Sequence, residues 1–218
     1  MVNLLKTQSS KTCYHIGDIY NSFLSMNKTH SLFPVTLKTD WQAPETLVVN
    51  KQLKDWLLDR DSLTARLKAN SKRFRVEVLG EHIEACSDEE ANQDIKAGEQ
   101  VLVREVLLYC DEKPQVFARS LLPIECLTGH EKELASLGTQ SLGQVLFKRE
   151  NLTRKCIEVS KLQKESTVNQ LANFLGLDAS QTLWGRRSVF VVDNKSFMVA
   201  EVFLPNALAY QSEEVVTR

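Results

Sequence analysis

Two apolar stretches joined by a short polar tract constrain the fold of this chain most strongly. Residues 101–110 are mostly apolar, the tract Asp111-Glu112-Lys113-Pro114 has the composition of a turn, and residues 115–123 form a second apolar stretch. Two strands around so short a polar link indicate an antiparallel hairpin. The sequence therefore predicts such a hairpin over residues 101–123.

Further strands follow from alternation of apolar and polar residues. Residues 74–78 alternate in this way, which is typical of a half-buried strand, and residues 153–159 are also strand-like. Two more apolar runs, 188–192 and 197–204, flank Asp193-Asn194-Lys195, which predicts a second hairpin.

Helical spacing of apolar residues marks three other segments, which are residues 53–67, 131–147 and 168–175. Asp61 and Ser62 have the composition of an N-cap, so the first segment is expected to contain two short helices. Gly138 is expected to interrupt the second. Strands joined mainly by hairpins, with helices clustered between them, predict an α+β domain with a single antiparallel sheet.

The ends of the chain lack this regularity. Residues 1–50 are polar and irregular, and we expect a loosely held extension ahead of a domain over residues 51–210, with residues 211–218 as a tail. The alternative for the extension is a short docking helix built from its apolar residues, which are Leu4, Leu5, Ile16, Ile19, Tyr20, Phe23 and Leu24.

Bulk properties exclude several classes of function. Lys and Arg number 27 against 28 Asp and Glu, and this balance argues against a nucleic-acid-binding protein. No apolar run exceeds the five residues 106–110, so we expect no membrane-spanning segment, and the N-terminus lacks the pattern of a secretory signal.

Cysteine and histidine positions indicate a reduced compartment and no metal. The five cysteines are odd in number and widely spaced, without a CxxC pair, so we expect free thiols in a cytoplasmic protein. The four histidines stand far apart, without the spacing of metal ligands. Signatures of nucleotide-dependent redox or phosphoryl chemistry are absent as well.

Charged residues within apolar strands are the best candidates for a site. Alternation places Arg104 on one strand face with Leu102 and Val106, and Glu105 on the other. Glu201 interrupts an apolar strand in the same way, and Glu158 does so more weakly. A buried guanidinium needs an acidic partner, which is either an anionic ligand or an internal carboxylate. For Arg104 and Glu201 the alternative is that the side chain is exposed to solvent or forms a structural ion pair.

The same segments resemble the chorismate pyruvate-lyase family. The similarity spans residues 51–210 and is carried by motifs in a fixed order, which are DWLLDRDSLTARL (55–67), VLVREVLLYCDEKPQVFARSLLP (101–123), LGTQSLGQVLF (137–147), LTR (152–154), LWGRRS (183–188) and AEVFLP (200–205). This resemblance implies an antiparallel sheet with flanking helices, in which helical flaps bury the ligand. Two departures are a long N-terminal extension and extra residues near 160–181.

The resemblance also implies roles for individual residues. Arg104 matches the arginine that binds the ring carboxylate, and Glu201 matches the glutamate that meets the ring hydroxyl; these two are our catalytic candidates. Leu142 and Leu63 match positions whose backbone contacts the ligand. Arg119 is the preferred candidate for a second carboxylate, because it lies on the strand paired with that of Arg104. Three other arginines are weaker candidates for that second role, and they are Arg154, Arg186 and Arg187; for Arg186 and Arg187 we prefer a solvated strand entry after Gly185.

The activity implied is elimination of pyruvate from chorismate to give 4-hydroxybenzoate, at the entry to ubiquinone synthesis, without cofactor or metal. Glu201 either assists proton removal or only orients the substrate, in which case the substrate carries its own base. The alternative function is a metabolite-sensing or product-binding domain of the same fold, since retained ligand contacts do not establish turnover. We expect a monomer whose ligands are chorismate and 4-hydroxybenzoate.

Overall fold

Six strands form one antiparallel sheet in the order β1-β2-β3-β6-β5-β4. The structure is a computed structural model that describes residues 31–211. Its strands are β1 (Phe74–Ala85), β2 (Gln100–Cys110), β3 (Lys113–Pro123), β4 (Thr153–Lys161), β5 (Trp184–Val192) and β6 (Lys195–Phe203). The predicted α+β class with a single antiparallel sheet is confirmed.

Both predicted hairpins are present, and their turns explain their positions. Asp111 and Glu112 have φ of 48° and 63°, and Asp193 and Asn194 have φ of 49° and 61°. Two consecutive residues with positive φ match the right-handed twist of the adjoining strands, so two-residue turns of this kind close hairpins tightly. The Asp111 side chain also accepts hydrogen bonds from the N–H groups of Lys72 and Arg73 (3.0 and 2.9 Å), which anchors the start of β1 at this turn.

Residues 31–211 contain four short α-helices, and they are α1 (Lys51–Leu57), α2 (Leu63–Ala69), α3 (Leu142–Leu146) and α4 (Thr167–Phe174). Ser62 is the N-cap of α2, as predicted, and its hydroxyl accepts a hydrogen bond from the N–H of Ala65 at 3.3 Å. The predicted interruption at Gly138 is also confirmed, with φ of +54°. The expected helix before it is a 3₁₀-helix over Gly129–Ser136, so only α3 is α-helical in that segment.

Both faces of the sheet are covered. On the front face, which carries Arg104 and Glu201, lie a first flap formed by residues 51–69 and a second flap formed by residues 129–147. Leu57 and Leu67 of the first flap pack with Phe203, and Leu142 and Leu146 of the second pack with Phe197. Burying these apolar side chains against the sheet holds the flaps in place.

The back face carries Glu105 and Arg119, and it is covered by residues 32–41, by the loop over residues 86–99 and by α4. Val35, from residues 32–41, and Leu171, from α4, pack in one cluster with Phe117 and Val202. The extra residues near 160–181 therefore include α4, which packs on the back of the sheet.

The N-terminal prediction is only partly accessible to this structure. Residues 1–30, which include the proposed docking helix, and residues 212–218 lie outside the described residues. Of the expected extension, residues 31–50 pack against the domain. Val35 and Leu37 are buried there, and Gln42 forms a two-way backbone pair with Val159 at 2.9 Å.

Candidate active site

Four short side chains form the floor of the front face at its centre, and these residues are Ala118, Ser120, Ser188 and Val199. The strand register places Ser120 opposite Val199, and Val199 opposite Ser188. All four are at most 9% exposed. Side chains this small occupy less space above the sheet than the Phe and Leu residues that flank them, which makes the floor the candidate position for a ligand beneath the two flaps.

Arg104 stands at one side of this floor, on β2 opposite Ser120. It is 2% exposed. Its Nη2 donates hydrogen bonds to the carbonyl oxygens of Gly138 (2.7 Å) and Gln140 (3.0 Å), and its Nη1 forms an ion pair with Glu81 of β1. The guanidinium therefore joins the sheet to the second flap, and its charge is balanced by a carboxylate, as a buried charge requires.

Glu201 stands at the other side, on β6, directly opposite Arg186 of β5. Arg186 Nε donates to Glu201 Oε2 at 2.7 Å. Arg186 Nη1 also donates to the carbonyl oxygens of Trp56 (3.2 Å) and Asp59 (2.8 Å), in the first flap. The ion-pair alternative considered for Arg104 and Glu201 is thus realised for both, and in each case one member of the pair also holds a flap.

Arg154 of β4 is the second arginine that holds the first flap. Its Nη1 and Nη2 donate to the carbonyl oxygens of Asp59 (2.7 Å) and Asp61 (3.2 Å), whereas its buried Nε has no partner among residues 31–211. The pKa of Arg154 falls to about 10, because burial and the neighbouring charge of Arg186 disfavour its charged form while Glu201 opposes them. This corner of the site therefore favours an incoming anion.

The two flaps meet near Leu63 and Leu142, the residues for which the family resemblance implies backbone contacts with the ligand. Leu63 is the first residue of α2 and Leu142 is the first residue of α3, and both are buried. The hydroxyls of Thr64 and Ser141, from the N-terminal ends of these helices, lie 3.0 Å apart in a hydrogen bond. The structure thus brings Leu63 and Leu142 to the contact between the flaps, above the floor.

Arg119 is the preferred sequence candidate for the second carboxylate, and the structure does not bring it to this site. A regular hairpin around the turn at residues 111–112 would have placed it opposite Arg104. However, a bulge in β3 near Gln115 shifts the register by one residue, so that Arg104 pairs with Ser120 and Glu105 pairs with Arg119. Arg119 consequently faces the back of the sheet.

On the back face Arg119 is saturated by three carboxylates. It donates to Glu84 (2.6 Å), to Glu90 (2.6 and 2.9 Å) and to Glu105 (2.8 Å). Burial alone would lower the pKa of Arg119, but these carboxylates raise it well above its ordinary value. Glu105 in turn accepts the N–H groups of Val35 (2.7 Å) and Thr36 (2.9 Å), so the cluster fixes the segment that covers this face.

The remaining arginine candidates divide between the faces. Arg154 and Arg186 lie on the front, whereas Arg187 lies on the back, where its Nε donates to Glu158 at 2.8 Å. The expectation that Arg186 and Arg187 form a solvated strand entry is wrong, since they are 1% and 7% exposed. Glu81 was missed, because the sequence pattern ended β1 before Gly80; continued alternation beyond that glycine was the available signal.

Comparison with known proteins shows which family the sequence matches. The sequence model of the family described as "Chorismate lyase" matches residues 35–215. A relative from Psychromonas ingrahamii, named "Probable chorismate pyruvate-lyase", is 41% identical over 181 residues, covering 83% of this chain and 97% of the relative. One of the same name from Shewanella frigidimarina is 35% identical over 208 residues, covering 87% of this chain and 100% of the relative.

Solved structures show the same fold at low identity. The C-terminal domain of the histidine utilization repressor from Pseudomonas syringae has a TM-score of 0.50 at 17% identity, covering 67% of this chain and 100% of that chain. The effector domain of PhnF from Mycobacterium smegmatis has the same TM-score and identity, covering 67% of this chain and 90% of that chain. The sequence matches, together with this fold, show that the chain belongs to the chorismate lyase family.

Proposed function

We propose that the chain removes pyruvate from chorismate and leaves 4-hydroxybenzoate. The observation that carries this proposal is the placement of Arg104 and Glu201 on one buried face, on strands separated by a single strand. Two strand spacings correspond to about 10 Å, which suits a six-membered ring substituted at opposite ends. Short side chains lie between the two residues, and the flaps lie above.

In this proposal Arg104 binds the ring carboxylate. Its guanidinium already forms an ion pair with Glu81, and a substrate carboxylate would take that place through a bidentate interaction. Arg154 and Arg186 supply positive charge for the carboxylate of the enolpyruvyl group. Two buried arginines and the partly buried Arg154 on one face are suited to a small dianion in a mainly apolar setting.

Glu201 orients the end of the ring that carries the hydroxyl. In the reaction, the C–H bond at the hydroxyl-bearing carbon and the neighbouring C–O bond both break. The C–H electrons complete the aromatic ring, and the C–O electrons leave with the enolpyruvate, which takes up a proton to become pyruvate. Glu201 carries that proton in one route, and the departing group takes it directly in the other. Positioning and charge stabilisation supply the catalysis in both routes.

The test is incubation of the purified protein with chorismate, without added metal or cofactor, while 4-hydroxybenzoate is followed by ultraviolet absorbance and chromatography. Arg104→Ala is expected to abolish ligand binding, and Glu201→Ala to lower turnover by about 10²–10⁴-fold. Arg73→Ala, which alters an exposed arginine paired with the exposed Glu112, serves as the matched control. Near-normal kinetics in both site variants would refute the assignment.

A second candidate is a domain that senses or carries a small metabolite without converting it. This candidate is included because the chain shares its fold with the effector domain of PhnF. Saturable binding of chorismate or 4-hydroxybenzoate without product formation would support it over the lyase. For the lyase, the proposed setting is the first committed step of ubiquinone synthesis, performed by a monomer in the cytoplasm; this setting rests on the family resemblance.

A further inference from the structure

A cavity of about 900 Å³ opens at the β4 edge of the sheet, away from the site described above. Its walls come from residues 36–47, from the start of α4 and from adjoining parts of β4 and β5. None of Arg104, Glu201, Arg154 and Arg186 lines it. Its size lies within the range of small-molecule sites, which is about 300–1,000 Å³.

Arg187 provides the charged group of this cavity. It is 93% buried, its Nε is bound to Glu158 at 2.8 Å, and its guanidinium lies 5.3 Å from the centre of the Trp41 ring. Its Nη1 is buried and has no hydrogen-bond partner among residues 31–211. A buried donor without a partner is costly, and Arg187 lines the cavity, so an acceptor that reaches this nitrogen from the cavity would relieve the cost.

The lining restricts the chemistry of that acceptor. Lys38, Lys161 and Arg187 are balanced by Asp40, Glu89 and Glu165, so the wall has no net charge that would favour a doubly charged phosphate. A guanidinium fits the two coplanar oxygens of a carboxylate. Trp41 and Trp184 both line the cavity and supply flat apolar surface for a ring.

Hydroxyl groups complete the wall, and they belong to Thr36, Thr39, Thr46, Ser160, Ser166 and Thr167. Such groups bind hydroxyl substituents without adding charge. We infer that the cavity is an accessory site for a small aromatic monocarboxylate, whose carboxylate binds Arg187 and whose ring lies against the tryptophans. This inference stands on the cavity alone and does not depend on the proposed activity of the front face.

The three tryptophans of the chain allow the two sites to be observed separately. Trp41 and Trp184 line the cavity, whereas Trp56 belongs to the first flap. The experiment is a titration of the ¹⁵N-labelled full chain with benzoate, in which the indole N–H signals are followed by NMR and assigned with Trp41→Phe and Trp184→Phe. A saturable shift of the Trp41 signal is the expected result.

Arg187→Gln is expected to weaken the binding reported by Trp41 by about tenfold or more, since a charge-assisted pair is lost. The shift of Trp56, which reports the front site, should be unchanged in this variant and lost in Arg104→Ala. Arg187→Lys, which keeps the charge but not the planar fork, should give an intermediate affinity. Thermal unfolding verifies that each variant is folded. The wild-type titration tests for binding even if the variants at Arg187 do not fold.

Three outcomes would overturn the inference. They are the absence of a Trp41 shift with benzoate, a Trp41 shift that Arg187→Gln leaves unchanged, and an equal shift with inorganic phosphate at the same concentration. The last result would identify a general anion site. These readouts do not depend on chorismate turnover. The accessory site and the proposed lyase activity are therefore tested independently.

Discussion

Arg104 and Glu105 are neighbours in the chain, yet each contacts a different half of the molecule. Arg104 bonds to the second flap on the front, and Glu105 bonds to the segment at Val35 on the back. Strand alternation predicted this division correctly from the sequence. The partner of Arg104 across the hairpin was not predictable, because the bulge near Gln115 decides whether residue 119 or residue 120 stands opposite.

Asp59 is a residue whose charge supports the first flap. Its Oδ1 accepts the N–H of Asp61 (2.9 Å), and its Oδ2 accepts Arg66 Nη1 (2.8 Å). Partial burial would raise the pKa of Asp59, but these two hydrogen bonds outweigh it, and the net pKa lies below the ordinary value of 3.8. Since the folded pKa is the lower one, the stabilisation is present above the ordinary pKa and is lost as pH falls through the folded pKa.

We expect Asp59→Asn to lower the melting temperature by about 2–4 °C at pH 7, which corresponds to about 1 kcal/mol in a chain of this size. The difference between variant and wild type should shrink as the pH falls below about 4. Thermal unfolding followed by circular dichroism from pH 7 to pH 3 measures both quantities. A constant difference over this range would show that the charge of Asp59 has no role.

At the scale of elements, arginines from the sheet hold both flaps. Arg154 and Arg186 bind backbone carbonyls of the first flap, and Arg104 binds those of the second. The hairpins were predictable, because alternation and turn composition are local signals. The contact between α2 and α3 was not, since a hydrogen bond between residues 64 and 141 depends on packing over a long separation in sequence.

Arg154→Met should loosen the first flap while leaving the second in place. Amide hydrogen exchange in residues 58–62 is expected to become faster by about tenfold or more, as charge-assisted hydrogen bonds to Asp59 and Asp61 are lost. Residues 137–141 should exchange as in the wild type. The control is Lys155→Met. Lys155 lies on the same strand as Arg154, and the variant removes only its half-exposed ion pair with Asp94. Equal exchange in both variants would contradict the role given to Arg154.

At the scale of the whole molecule, one sheet separates two layers of different composition. The front layer contains the flaps and the arginines that hold them, and the back layer contains α4 and residues 32–41. The nearly continuous apolar sequence of β2 and β3 reflects burial on both faces. The cover of the back face was beyond sequence reasoning, because helical spacing in α4 does not say which face the helix packs on.

This separation predicts that stability and activity respond differently to changes in α4. Leu171 is 2% exposed, and Leu171→Ala is expected to lower the free energy of unfolding by about 2–4 kcal/mol. Phe174→Ala, on the exposed side of the same helix, should change it by about 0.5 kcal/mol or less. Urea denaturation provides these values.

Turnover by the folded fraction of Leu171→Ala should match that of the wild type, since α4 does not contact the front face. A large loss of turnover in protein that is still folded would mean that the two layers are coupled through the sheet. Chorismate assays at a temperature well below the melting point of the variant distinguish loss of folded protein from loss of catalysis.

The hydrogen bonds that hold the flaps have a consequence for how such loops diverge. The acceptors at residues 56, 59, 61, 138 and 140 are main-chain carbonyl oxygens, which every amino acid possesses. Substitutions at Asp61 or Gln140 therefore leave these acceptors available to the guanidinium groups. Insertion or deletion of one residue would instead displace the carbonyls from reach. At flap positions that bond only through the main chain, the sequence can thus change while the loop lengths stay fixed.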